Sequence, residues 1–287
     1  APLTGALEGL TFVLTGALGT EPGDASATLL FDPHVLAWSA PMLEIVGLAP
    51  ERLPPVFSSC AVAGPLRADA AAASGLPAGI PVIFGSSDVS LQALAQGVVA
   101  PGTASCTIGT GGQLFAPLQA PRHDPLLRLH LFCHALSGTW HHEAAILSAG
   151  LALRWLRDQV WPGSNFSDLA DAAAEVESGT DGLFFLPFLV GERTPYMEPG
   201  LCAGFLGLGL RHGKAHLVRA VMEGVVFELR QGLDLMLSLG TPVERLLATG
   251  GATRHPLWLQ LQADIFNRPI HVSRVEEATA RGAALLA

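Results

Sequence analysis

The sequence is short of charge. Only 14% of its 287 residues are Asp, Glu, Lys or Arg, and basic side chains are the scarcer kind: 16 Lys and Arg against 25 Asp and Glu, a net charge of −9. That deficit excludes nucleic acid as a main partner, because phosphate backbones are bound by clusters of Lys and Arg. Long apolar runs are also missing. The chain is 49% hydrophobic, with a mean hydropathy of +0.41. Yet the longest candidates, residues 183–190 and 201–210, are broken by Pro187 and by several glycines. Neither reaches the ~20 residues of a membrane helix, so no membrane partner is expected. No positively charged leader precedes an apolar core, and no secretory signal is expected. Cysteine is sparse. Cys60, Cys106, Cys133 and Cys202 show no Cys-x-x-Cys spacing and read as reduced, mostly buried thiols of a cytoplasmic protein.

What the chain does have is glycine, and the glycines sit in patterns. Gly85-Ser86-Ser87-Asp88 precedes Cys106-Thr107-Ile108-Gly109-Thr110-Gly111-Gly112. Residues 81–84 read as a buried strand, which places Asp88 at a strand end. Glycines with a threonine can offer N–H groups and a hydroxyl to phosphate oxygens; the same turn also serves as a plain hairpin. Thr249-Gly250-Gly251-Ala252 joins a predicted strand (245–249) to a helix that Pro256 opens and that runs to Phe266. Its glycines permit close approach of a flat ligand or a phosphate at a helix N-terminus, or they make a bare strand–helix turn. Ser148-Ala149-Gly150 opens another helix and carries the same two readings.

Between these motifs the pattern is that of an α/β protein with a mixed sheet. Residues 1–80 contain a short helix candidate, turns at Pro22-Gly23 and Pro54-Pro55, and an Ala-rich helix at 69–74. From there the spacing predicts a helix at 89–96, a hairpin of strands near 104–108 and 113–116, and a second hairpin pairing 129–136 with 139–145 about Ser137-Gly138. Helices follow at 150–160 and 168–176, the second capped by Ser167. The strongest helix is 216–239, with Leu217, Val218, Val221, Met222, Val225, Leu229 and Met236 mainly on one face and Gly240 as a stop. A strand at 269–272 and a last helix at 278–286 complete the reading. With a two-residue turn at Ser137-Gly138, His134 faces His141, and Glu143 shares the side of His141. Such pairs are usually structural, and no metal site is assigned. Arg193, in Gly191-Glu192-Arg193-Thr194-Pro195, either anchors a loop or contacts a ligand.

Together these motifs resemble the FGGY carbohydrate kinases, and within them the chain is most similar to xylulokinases. The most specific match is Ala203, Phe205, Gly207 and Leu208, a spacer, then His216, Leu217, Ala220, Val221, Met222 and Glu223. This fits the family's C-terminal signature at every constrained position. Asp24 to Asp32, Phe132-Cys133-His134-Ala135, Ser148-Ala149-Gly150 with Trp155, and Gly191 to Pro195 extend the likeness over nearly the whole chain.

The resemblance implies an actin-like (ribonuclease H-like) fold of two α/β domains around a cleft. Residues 1–80 would be the C-terminal part of domain I, and 81–287 most of domain II, the ATP-binding side. The implied reaction is ATP-dependent phosphorylation of a sugar hydroxyl, D-xylulose to D-xylulose 5-phosphate first, another polyol or ketose such as glycerol or ribulose second. Asp88 matches the catalytic base. Gly109, Thr110 and Gly111 match a phosphate loop, Gly150 a glycine near the phosphates, and Gly250, Gly251 and Ala252 the adenosine motif. His255 stands where related kinases can place an Asn near the adenine. Val89 replaces a residue that is often polar and touches the sugar. ATP and Mg²⁺ are the implied cofactors, and a homodimer stays open. The family's opening Asp-x-Gly-Thr turn has no counterpart here, so the 287 residues alone are expected to be an inactive fragment, or a non-catalytic nucleotide-binding or sugar-sensing piece of the fold.

Overall fold

A computed structural model describes residues 6–287. The N-terminal part is built from small pieces: α1 (Ala6–Thr15), α2 (Pro22–Ala27), a two-stranded ribbon of β1 (Phe31–Asp32) and β2 (Ala37–Trp38), and α3 (Ala40–Val46). A second ribbon pairs β3 (Val62–Pro65) with β4 (Pro81–Ile83) across α4 (Ala68–Ser74). Two sequence expectations change here. Pro22-Gly23 does not make a turn. It starts α2, because Glu21 accepts hydrogen bonds from the Gly23 and Asp24 N–H groups at 2.9 and 2.7 Å and proline is suited to the first helical position. Strand β4 lies half-buried in its ribbon rather than buried in the main sheet.

After α5 (Asp88–Ala95) the chain forms β5 (Gly102–Ile108), β6 (Gly112–Leu118), β7 (His130–Cys133) and β8 (Trp140–Ile146). Next come α6 (Gly150–Val160), α7 (Phe166–Ala174), the ribbon of β9 (Phe184–Leu186) and β10 (Gly204–Leu206), and α8 (Lys214–Ser238). It ends with β11 (Val243–Thr249), α9 (Pro256–Phe266), β12 (Ile270–Val272) and α10 (Ala278–Leu286). Six strands make one mixed sheet in the order β12-β11-β5-β6-β8-β7. The β12–β11 and β11–β5 pairs are parallel; the remaining pairs are antiparallel.

Strand alternation assigns the two faces. Ala104, Cys106, Ile108, Leu114, Ala116, Ala144, Ile146 and Leu246 point into the main core with α6, α7, α8 and α9. Phe115 and Leu247 point to the other face, where Val89, Ala93 and Val98 of the α5 region cover them. Helix α8 forms because its apolar residues recur at helical spacing: Val218, Val221, Met222, Val225, Leu229 and Met236 are all fully buried. No helix among the described residues is long and apolar enough to cross a membrane. Helix α7 begins two residues earlier than the sequence suggests, capped by Asn165, which accepts from the Ser167 N–H at 2.9 Å; Ser167 is not the cap. Cys106 and Cys133 are buried, whereas Cys60 and Cys202 are exposed, so the thiols divide evenly.

Candidate active site

The two glycine turns leave the sheet side by side. β5 and β11 are adjacent and parallel, with Thr107 opposite Thr249, so Gly109 and Gly250 follow at the same edge. The Thr107 and Thr249 hydroxyls are hydrogen-bonded to each other at 2.7 Å. The β5–β6 turn is tight, the Gly109 N–H donating to the Gly111 carbonyl at 2.9 Å. That turn also receives helix α6. The N–H groups of Ala149 and Leu151 donate to the Thr110 carbonyl, both at 3.0 Å, and that of Gly150 to the Gly109 carbonyl at 2.9 Å. The first N–H groups of a helix lack intrahelical partners; here they are spent on the turn, so the start of α6 offers few of them to an anion. Gly150 is glycine because a side chain would strike the Gly109 carbonyl.

A cavity of about 610 Å³ opens at this edge. Gly109, Thr110, Gly150, Gly251, Ala252 and His255 line it, six of the eight residues the sequence proposed for the nucleotide side. Gly111 and Gly250 do not reach it. An added Cβ at Gly111 would lie 2.8 Å from the Ile146 carbonyl, and Gly250 has φ +82° with the Ile108 carbonyl 2.5 Å from a Cβ. Those two glycines shape the turns. Gly251 is the opposite case, since a Cβ there meets nothing within 4 Å. His255 caps α9, accepting from the Leu257 N–H through Nδ1 at 3.2 Å, and its Nε2 lies 3.2 Å from Asp171 of α7. The sequence reading missed Arg154, Arg254, Phe166 and Trp258, which also line the cavity. Arg154 was within reach, lying four residues after Gly150 on the same helix face.

Asp88 is not in this cavity. It is the exposed first residue of α5, not the end of a strand, and its Oδ1 accepts from the Val89 N–H at 2.8 Å. One turn later on the same helix face, Gln92 donates to the Thr249 hydroxyl at 3.3 Å. The base candidate is thereby tied to the sheet edge that carries both glycine turns. On the α5 side of the sheet, His130, Glu143 and Phe115 are in register across β7, β8 and β6. Burial pushes the Glu143 carboxyl above its usual range; a Gln113 hydrogen bond and Arg193 oppose this, and Asp88 adds to it. Arg193 reaches His130 Nε2 at 2.9 Å, and burial holds His130 below its usual value.

The second hairpin corrects the histidine pairing. Ser137-Gly138 do make the turn, closed by Thr139 N–H to the Leu136 carbonyl at 3.2 Å, but the ladder resumes only at His134 N–H to the Thr139 carbonyl. His141 therefore faces Phe132. His134 is its diagonal neighbour, ring centroids 6.1 Å apart. The wider loop is held by side chains: Thr139 Oγ1 donates to the Leu136 carbonyl at 2.6 Å and His134 Nδ1 accepts from the Leu136 N–H at 3.1 Å. His141 stacks on Phe115 at 4.2 Å. Among the described residues, no three His, Cys, Asp or Glu side chains gather to hold a metal ion.

Comparison with known proteins bears on both halves. The C-terminal domain model of the FGGY family of carbohydrate kinases matches residues 104–287, and its N-terminal domain model matches 6–95. A xylulose kinase of Bacillus subtilis is 32% identical over 276 residues, 96% of this chain and 55% of that protein. The crystal structure of a xylulose kinase from Rhodospirillum rubrum superposes with a TM-score of 0.91 at 30% identity, over 100% of this chain and 58% of that one. Plasmodium falciparum glycerol kinase with ADP superposes with 0.89 at 27% identity, over 99% and 57%. The chain spans a little over half the length of these proteins and shares their fold, the actin-like class expected from the motifs.

Proposed function

The chain belongs to the FGGY family of carbohydrate kinases, and from that membership we propose that its protein transfers the γ-phosphoryl group of ATP to a sugar hydroxyl, D-xylulose being the leading substrate. The observation that carries the reading is the convergence of three separated glycine motifs, at Gly109–Thr110, Gly150 and Gly251–Ala252, on one cavity of about 610 Å³. Gly251 leaves open space where adenosine would lie. Trp258 and Phe166 give flat apolar walls, and Arg154 and Arg254 supply positive charge for phosphates in an otherwise acidic chain.

In this reading Asp88 takes the proton of the attacking hydroxyl as its oxygen bonds to the γ-phosphorus and ADP departs. Phosphoryl transfer is governed by positioning and charge neutralisation, so the two arginines and the turn around Thr110 hold the phosphates while Asp88, fixed through Gln92, meets the sugar. Mg²⁺ would neutralise phosphate charge. The described residues furnish no cluster of three ligands for it. Residues 1–80 complete the first domain and 81–287 make most of the second, with the reaction in the cytoplasm. Glycerol or another polyol is the second reading, favoured by the glycerol kinase likeness and by apolar Val89 beside Asp88.

The test is a phosphoryl-transfer screen of the full-length protein against xylulose, ribulose, glycerol and related polyols. Sugar-dependent ADP release with xylulose preferred is the expected result. Release that ignores every sugar overturns the proposal.

A further inference from the structure

Two buried carboxyl groups are neighbours outside the cavity. Glu192 is the second residue of the loop 191–198 and Glu228 sits in the middle of α8; they are 3% and 2% exposed. Glu192 Oε1 accepts from the N–H groups of Leu147 at 2.9 Å and Arg193 at 2.7 Å. The other Glu192 oxygen and both Glu228 oxygens are buried without a hydrogen-bond partner, and Glu192 is the carboxyl neighbour that acts on Glu228. Two carboxylates cannot both be ionised as neighbours out of water, so one keeps its proton and its O–H is the missing donor.

The charges around them do not change this. On α8, Glu223 is taken by Arg219 at 2.6 Å. From the loop, Arg193 turns to His130, and the Tyr196 hydroxyl donates to Gln231. From β8, His142 is engaged by Thr241 and the Arg122 carbonyl. Asp181, ahead of α8, lies by His216, and β6 and β9 bring no charged residue. Burial first, and the neighbouring Glu192 second, push the Glu228 carboxyl up to about 10.

The loop that carries Glu192 is docked on β8. Glu192 and Glu198 exchange N–H to carbonyl bonds, both 3.0 Å, and the Thr194 N–H donates to the Ala145 carbonyl at 3.1 Å. Between these anchors Arg193 extends to His130, on the sheet face that carries Glu143 and faces the Asp88 helix. We propose that Glu192 and Glu228 hold one proton between them and that this acid–carboxylate pair positions the loop so that Arg193 stands beside Glu143 at the phosphoryl-acceptor side of the site. The positioning role rests on the sugar-kinase reading; the shared proton does not.

The sign of the pH effect follows. Above the ordinary glutamate value of 4.5 the unfolded chain releases this proton, while folded Glu228 keeps it to about 10. The pair's contribution is therefore complete below pH 4.5 and is lost steadily as pH rises toward 10. In the full-length protein, Glu228→Gln puts an amide N–H where the proton was. It is expected to fold, to melt above the parent at pH 9, and to show a flatter melting temperature between pH 6 and 9.5. Arg193→Ala, outside the pair, should keep the parent's slope. A parent-like slope in Glu228→Gln removes the shared proton, whatever the protein phosphorylates. Positioning is read from kinetics: Glu228→Ala should raise the sugar KM at least threefold, Glu228→Gln should restore it, and the Arg193→Ala double variant should be no worse than Arg193→Ala alone. If Glu228→Ala melts lower with unchanged kinetics, or the double-variant effects simply multiply, the positioning role is wrong. A flattened slope in a protein that phosphorylates no sugar would sink the sugar reading and leave the proton in place.

Discussion

Thr107 and Thr249 face each other across two parallel strands with their hydroxyls 2.7 Å apart, and Gln92 of the Asp88 helix donates to the same Thr249 hydroxyl at 3.3 Å. Three elements of the site meet at that oxygen. Thr249→Val should destabilise the protein by about 1 kcal/mol, since it leaves the partly buried Thr107 and Gln92 groups unpaired, and adding Thr107→Val should recover part of the loss because both hydroxyls are then gone. Urea unfolding of the two single variants and the double variant checks this. Full additivity would mean that the bond contributes nothing.

Asp88→Ala should lower kcat by about 10²–10⁴, the usual effect of losing a general base, with ATP affinity nearly unchanged, because Asp88 is outside the nucleotide cavity. Near-normal turnover would remove Asp88 from the reaction.

The adjacent glycines should behave differently. Gly251→Val should fold, since its new side chain meets open space, and should weaken ATP binding at least tenfold by filling the cavity. Gly250→Val should lower stability first, because φ is +82° and the Ile108 carbonyl lies 2.5 Å from the new Cβ, and L-residues avoid that backbone region. His134→Ala should leave ATP affinity unchanged. Calorimetric titration and thermal melts of the three variants separate the cases; ATP binding that survives Gly251→Val but not His134→Ala would move the nucleotide site.

Burial holds His134 down to about 4, and His141, flanked by His134 and His142, well below its usual value. In the window from about 6.5 to 4 the unfolded chain binds a proton that folded His134 refuses, so stability is present above pH 6.5 and is lost as pH falls. His134→Gln should unfold with a weaker dependence on pH between 7 and 5 than the parent. An unchanged dependence, measured by urea unfolding at both ends, would show that the ring is already charged when folded.

Much of the frame was legible because its signals are local. Helix α9 runs from Pro256 to Phe266 and α6 from Gly150 to Val160, as proline, capping and periodicity indicate. What the sequence hid depends on distant partners. Pro22-Gly23 looks like a turn until Glu21 is seen capping a helix. The turn at Ser137-Gly138 was read correctly, yet the register moved two residues because Thr139 and His134 side chains widen the loop. In the site, Gly150 and Gly251 were legible as glycines that something approaches closely. For Gly150 that neighbour proved to be the protein's own backbone. Arg154 was legible from its spacing to Gly150, but Arg254 was hidden because only the meeting of α6 with the turn after β11 brings it to the same cavity.

The proposed base hangs from α5 and the proposed nucleotide cavity from the turns and helices at the sheet edge, joined through Gln92 and Thr249 and through the packing of Val89 and Ala93 with Leu247. Selection can redraw one wall and leave the other alone. On the proposed assignment, a change around Val89, Glu143 or Arg193 would alter which hydroxyl meets Asp88 without touching Gly251, Arg254 or Trp258. Such a division would let the proposed nucleotide half be inherited intact while the acceptor changes from one polyol to another.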